Sequence, residues 1–324
     1  MQKSYDELGP QEKSTLVLGP DVFVFPHNDP ETAIDYAGMS GTLNLTQYLD
    51  VVNNSTLDLY FKIEATVLSG DASKWSGLSS TFPVTGATSK AQLEWNPSRE
   101  VPSAKTTETL RINLKAFKDS GFTELYGEDY VDFTYHFFNH SEGTVVHFAD
   151  FENGYDGWSS DEGGYLHHFG TRQSKYAYTG SWSLALAGFR NYSTCEHADN
   201  WVTDVSGQIV PAISGGWYGF RQQTFDLSGF SSVYLVLHVT YLIKSGDVTP
   251  YSVLRILTSS KDYIIRIPIP VNTYQPYRVA IPLSAISSET IKITGTFENN
   301  STSSKLCSTQ THLYVDTIMI VGFS

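Results

Sequence analysis

The chain has 324 residues, enough for two ordinary domains, and 40% of them are hydrophobic, enough to build sizeable cores. Its net charge of −13 and its lack of Lys or Arg clusters argue against nucleic acid and against an anionic membrane surface, because both are bound through basic side chains. Charged residues make up 17%, below the roughly 25% of typical soluble domains, while 20 Tyr, 18 Phe and 6 Trp supply side chains suited to half-buried sheets.

Residues 1–14 are polar and carry Gly9-Pro10, which predicts a poorly packed leader. Two short strands are expected next, Ser14–Leu18 and Val22–Pro26, separated by the turn residues Gly19-Pro20-Asp21. Thr42–Leu45 alternates. Leu57–Leu68, Thr107–Phe117 and Asp129–Phe138 alternate over longer stretches, as a sheet with one buried face does. Pro30–Tyr36 is the one place where a single helical turn is expected. Asn139–Thr144 is short and polar and reads as a linker. Beyond it, strands are predicted at Ser181–Ala187, Trp217–Gln223, Ser232–Leu242, Tyr251–Thr258, Tyr263–Ile269, Tyr277–Pro282, Thr290–Phe297 and Leu313–Val321, with Gly and Ser between them. The fold class is therefore all-β: a segment 1–14, a sandwich over 15–140 and a second sandwich over 145–324.

Two resemblances follow from particular residues. Asn53-Asn54-Ser55-Thr56 before a long strand, and a Thr-rich strand before a last strand rich in Thr, Tyr and Phe, resemble the Ig-like domains of archaeal and bacterial surface proteins. The second half resembles the galactose-binding-like jelly rolls of carbohydrate-binding modules. The residues are Phe151-Glu152 with Gly157-Trp158, Thr179-Gly180-Ser181-Trp182-Ser183-Leu184, Phe225-Asp226-Leu227-Ser228 and Val315-Asp316-Thr317-Ile318. That resemblance implies that 148–158 and 313–321 are the first and last strands and lie side by side. It also implies a structural Ca²⁺ near Glu152 and Asp316, although two acids fall short of the 6–8 oxygen ligands Ca²⁺ takes, and Thr317 stands where the family usually has a second acid.

Other motifs are sparse. Cys195 and Cys307 are the two cysteines; without CxxC spacing they read as one disulfide or as two buried thiols, and the disulfide is the expectation because the other signs are extracellular. A disulfide would close a loop of roughly 110 residues, worth on the order of 4–5 kcal/mol in chain entropy. Asn44, Asn53, Asn54, Asn139, Asn191, Asn299 and Asn300 each open an N-x-S/T sequon. Trp158 and Trp182 are expected in the core, whereas Trp201, Trp217 and Tyr218 are candidates for stacking on sugar rings. His167-His168 face opposite sides of a strand and make a poor chelating pair. GxSxG, HExxH and a phosphate loop are all missing, so enzymatic chemistry is the least expected reading. No apolar run reaches the roughly 18 residues of a membrane span, and the opening residues do not read as a signal peptide, so an exported form would be mature or truncated.

These readings point outside the cell. The leading expectation is a structural protein, a surface-layer or filament subunit partnered by copies of itself, with the N-terminal strand donated to a neighbour. The alternative is a glycan-binding adhesin or module, and a weaker one is a viral spike.

Overall fold

The fold is described from a computed structural model over residues 16–19, 21–159, 171–174, 177–190, 216–218, 220–244, 250–267, 275–299 and 310–324; in several strand segments the backbone alone is described. Trp201, Cys195, Cys307, His167, His168, Asn191 and Asn300 lie outside the described residues, as does the 1–14 leader. Two compact units divide between Asn139 and His140.

Unit 1 contains β1 (Leu16–Gly19), β2 (Val22–Pro26), β3 (Glu31–Asp35), β4 (Thr42–Asn44), β5 (Gln47–Asn53), β6 (Tyr60–Ser69), β7 (Trp75–Ser76), β8 (Ser79–Thr81), β9 (Ser89–Trp95), β10 (Ser98–Glu100), β11 (Thr106–Phe117) and β12 (Leu125–Phe138). Its sheets run β1-β2-β5-β9, β4-β10-β7 and β3-β12-β11-β6-β8. Period-two patterning explains the packing. Leu110, Ile112 and Leu114 of β11 and Phe133, Tyr135 and Phe137 of β12 alternate inward, meeting Val22, Val24, Leu49 and Val51 in one core. Pro30–Tyr36 departs from the expected helical turn. Its Thr32–Asp35 backbone pairs in parallel with Tyr135–Phe138, so tertiary pairing overrides a weak local preference. β1 pairs antiparallel with β2 and buries Leu16 and Leu18 in its own unit's core.

One sequon is closed. Asn53 is fully buried, and its amide donates to the carbonyls of Leu57, Thr85 and Gly86 at 2.9, 3.3 and 3.0 Å. A glycan on that nitrogen has no room, so Asn53 is a turn-organising residue instead. Asn44 and Asn54 are exposed.

Unit 2 contains β13 (Thr144–Ala149), β14 (Thr171–Gln173), β15 (Ser183–Arg190), β16 (Gly216–Tyr218), β17 (Phe220–Phe225), β18 (Ser232–Lys244), β19 (Pro250–Leu257), β20 (Asp262–Ile267), β21 (Gln275–Leu283), β22 (Glu289–Asn299) and β23 (Gln310–Phe323). One sheet runs β14-β15-β23-β18-β21, with β13 also on β23 and β16 on β15; the other runs β17-β22-β19-β20. Among the described residues, all strand pairs in unit 2 are antiparallel, as in a jelly-roll sandwich. Leu235, Leu237, Val315 and Ile320 face Leu254, Ile256, Ile291 and Ile293 across the core.

The first and last strands of unit 2 do pair: Thr144 lies opposite Gly322 and Ala149 opposite Ile318. The first strand, however, sits earlier than its sequence suggests. Of residues 148–158 only Phe148 and Ala149 are strand; Phe151, Asp156 and Gly157 take left-handed backbone (φ 59°, 48° and 88°), and three such residues within seven turn the chain away from an extended ladder. Trp158 is buried in the core as expected, while Trp182 is half-buried. Among the described residues no helix is long and apolar enough to cross a membrane.

Candidate functional site

Residues 177–182 connect into β15 and form a loop held by side chains from two other segments of unit 2. Two carboxylates hold it. Glu152 Oε1 accepts from the backbone N–H of Ser181 at 2.8 Å and of Trp182 at 2.7 Å. Asp316, fully buried in β23, accepts through Oδ2 from the N–H of Tyr178 and Thr179, both at 2.8 Å, and through Oδ1 from its neighbour Thr317 at 2.7 Å. Hydrogen bonds of this charge-assisted kind are about twice as strong as neutral ones. Burial pushes the Asp316 carboxyl above its ordinary value, and the N–H groups of Thr179, Thr317 and Tyr178 pull against that.

The loop can approach Glu152 because residue 180 is glycine. Gly180 has φ +64°, and a Cβ there would stand 2.5 Å from Glu152 Cδ and Oε1. Thr317, β-branched yet at φ 52°, donates to or accepts from Thr179 through their hydroxyls at 2.9 Å. A left-handed β-branched residue is strained, and strain of this kind collects where a structure positions something. Here it lies beside the bulge that shifts the β18–β23 register between Val236 and His238.

The element so positioned is Tyr178. Its ring stacks parallel on His238, with centroids 3.8 Å apart and planes 6° from coplanar, yet the residue stays 47% exposed. His238 stands opposite Arg278 across the β18–β21 ladder. Arg278 Nη2 donates to His140 Nδ1 at 3.2 Å. Burial lowers the pKa of His238, with the nearby His140 pushing the same way and a backbone bond at Thr317 opposing. Burial lowers His140 and Arg278 as well. The result is a polar, donor-rich cluster under an exposed aromatic ring.

Glu152 and Asp316 are thus brought to one loop, but not as a cation cage. Glu152 Oε1 and both oxygens of Asp316 accept from backbone N–H groups, which present positive charge to the lone pairs a cation would need. Among the described residues no group of three or more His, Cys, Asp or Glu is placed to hold a metal. The described residues do not supply the 6–8 oxygen ligands of such a site. Of the sugar-stacking candidates, Trp217 and Tyr218 lie in β16, opposite Gly188 and Ala187 of β15, and their side chains lie outside the description. Tyr178 carried no signal in the sequence. Its role depends on contacts some 60 and 138 residues away, with His238 and Asp316.

Unit 1 has a concavity of its own. A cavity of about 410 Å³ lies between the Gly70–Lys74 turn and the segment from Arg99 to Thr106. Its floor is an ion pair: Arg99 Nη2 donates to Glu108 Oε1 at 2.6 Å and Arg99 Nε to Oε2 at 3.3 Å, while Trp75 Nε1 donates to the same Oε2 at 2.6 Å.

No protein-family model matches the sequence, and no curated protein matches it. Solved structures to which the chain is similar include the CBM22-1–CBM22-2 tandem domain of Paenibacillus barcinonensis Xyn10C, at 11% identity and a TM-score of 0.28, covering 99% of this chain and 96% of that one. The xylan-binding CBM22-1 domain of the same protein gives 12% and 0.27, over 56% and 97% of the two chains. A carbohydrate-binding module of the β-sandwich superfamily, described as promiscuous in specificity, gives 9% and 0.30, over 93% and 98%. At TM-scores of 0.30 and below, these likenesses carry no argument about what the chain binds.

Proposed function

We propose that the protein is a glycan-binding protein of the cell exterior, and that unit 2 binds through Tyr178. The observation that carries this reading is the ring itself: one face is backed by His238, half of the residue is exposed, and the loop that bears it is held by two carboxylates. Sugar rings offer C–H edges to such a face and hydroxyls to the donors beside it, and a held loop spends little entropy on binding. The exposed sequons at Asn44 and Asn54 suit an exterior location. Recognition without a catalytic step is the whole of this reading.

Self-assembly by N-terminal strand donation is the reading it displaces. β1 speaks against donation, since Leu16 and Leu18 complete the core of their own sandwich.

The test is retention of the full-length protein on polysaccharide affinity gels and glycan arrays, beside Tyr178→Ala. At least one glycan is expected to retain the protein, and Tyr178→Ala to weaken it about tenfold, equivalent to about 1.4 kcal/mol. Equal retention of the variant, or no retention on any glycan, refutes the reading.

A further inference from the structure

We infer that unit 1 carries a second, separate binding site, for a neutral polyhydroxylated ligand of sugar size, in the cavity floored by Arg99 and Glu108. The inference rests on unit 1 alone and stands whether or not Tyr178 binds glycans.

Size comes first. A cavity of about 410 Å³ falls within the roughly 300–1,000 Å³ of small-ligand sites. Charge comes next. The wall carries three cations, Lys74, Arg99 and Lys105, and three acids, Asp71, Glu100 and Glu108. Most of these charges are already matched inside the wall. Arg99 is paired with Glu108, and Lys74 Nζ lies 2.7 Å from Glu100 Oε2. Asp71 accepts from the Ser73 N–H and hydroxyl, bonds that hold its carboxyl below the ordinary value and so keep it ionised. A charged ligand would compete with the Arg99–Glu108 and Lys74–Glu100 pairs. A neutral one need not.

Hydrogen-bonding capacity nonetheless remains. A carboxylate offers about four lone-pair sites and an ammonium three donors. Glu100 and Lys74 spend one of these on each other. Ser103 and Thr106 add hydroxyls to the wall. Such mixed donors and acceptors match hydroxyl groups, which are both at once. They offer neither a phosphate nor a bare cation a net opposite charge, because three acids balance three Lys and Arg.

The floor is built rather than accidental. Arg99 and Glu108 are 6% and 1% exposed, and Trp75, bonded to Glu108, packs on Tyr135 and Phe137. Gly70 lies so close, at φ +105°, that a Cβ would stand 2.5 Å from Glu108 Cγ. Buried ion pairs are weak stabilisers compared with apolar side chains of the same volume. One held this firmly beneath an open cavity gives the wall residues above it a rigid base.

The test is an amide-shift titration of the full-length protein with glucose, galactose, mannose and xylose, each at tens of millimolar, and in parallel with inorganic phosphate and glycine. The expected result is that at least one sugar gives saturable shifts at Gly70, Ser103 and Thr106, while phosphate and glycine give none there. Ala104→Phe adds a ring to an exposed residue of the wall and is expected to weaken binding at least tenfold. Thr106→Val, which removes a hydroxyl without changing shape, is expected to weaken it several-fold. Tyr178→Ala is expected to leave these shifts unchanged, which separates this site from the one in unit 2. Absence of saturable shifts with every sugar overturns the inference. So do saturation by phosphate or glycine instead, and sugar shifts that survive Ala104→Phe.

Discussion

Glu108→Ala tests how unit 1 is held. Glu108 lies on β11 at an inward position that otherwise reads Leu, Ile and Leu, and its carboxylate is 1% exposed. It accepts from Arg99 twice and from Trp75 once. Removing it leaves the Arg99 guanidinium buried without its counter-charge, with the Phe137 ring at 5.5 Å as a poor substitute. Breaking one side of a buried pair costs about 3–5 kcal/mol. Against the usual domain stability of about 5–15 kcal/mol that is a large fraction, and on a unit of this size it lowers Tm on the order of 10–20 °C. Replacing both charges, with Arg99→Met and Glu108→Leu together, removes the desolvation cost along with the attraction. The Trp75 N–H then stays unpaired, at about 1–3 kcal/mol. The double variant is therefore expected to be more stable than Glu108→Ala. Hydrogen exchange in increasing urea, read on peptides spanning Thr106–Phe117, isolates unit 1 from unit 2. A loss below about 1 kcal/mol for Glu108→Ala, or a double variant no better than the single one, refutes the account.

Gly180→Ala should destabilise unit 2 by about 2–4 kcal/mol, from left-handed backbone strain and displaced Glu152 bonds, and calorimetry checks it. Burial lowers the pKa of His140, His147 and His238, and His147 Nε2 also accepts from Trp158 Nε1 at 3.1 Å, a bond that protonation abolishes. Each takes up a proton less readily when folded, so the unfolded chain binds more protons as pH falls. Their contribution is complete above the unfolded value of about 6.5 and is lost as pH falls toward the lower folded values. Urea midpoints of unit 2 are accordingly expected to fall between about pH 7 and pH 5, and a flat profile would contradict this. A chelator is expected to leave the thermal midpoint of unit 2 unchanged, since N–H groups hold Glu152 and Asp316; a clear drop would restore the calcium reading.

Long alternating runs were legible in the sequence. β11 and β12 announce themselves because one buried face forces every second residue to be apolar. β3 was not legible, because five residues with weak local preference take their conformation from β12. The two acids Glu152 and Asp316 could be singled out, but not their chemistry. Whether a carboxylate meets N–H groups or a cation depends on how a loop 29 residues from Glu152 and 138 from Asp316 folds over it. The Tyr178–His238 stack and the Arg99–Glu108 floor were invisible for a related reason. A Glu in an alternating strand reads the same whether a partner waits inside or not, and a Tyr two residues before a Gly reads as turn composition.

β23 has a kinetic meaning. Its 14 residues zip against β18 along one side, and against β13 and then β15 along the other. Thr144 thus waits for Gly322, nearly the whole of unit 2 later in the chain. Such distant partners make for slow closure. During synthesis, unit 1 can reach its final form while the second half remains an open, sticky intermediate until 310–323 emerge. Any premature stop before that stretch would strand three ladders at once, with their hydrophobic faces exposed.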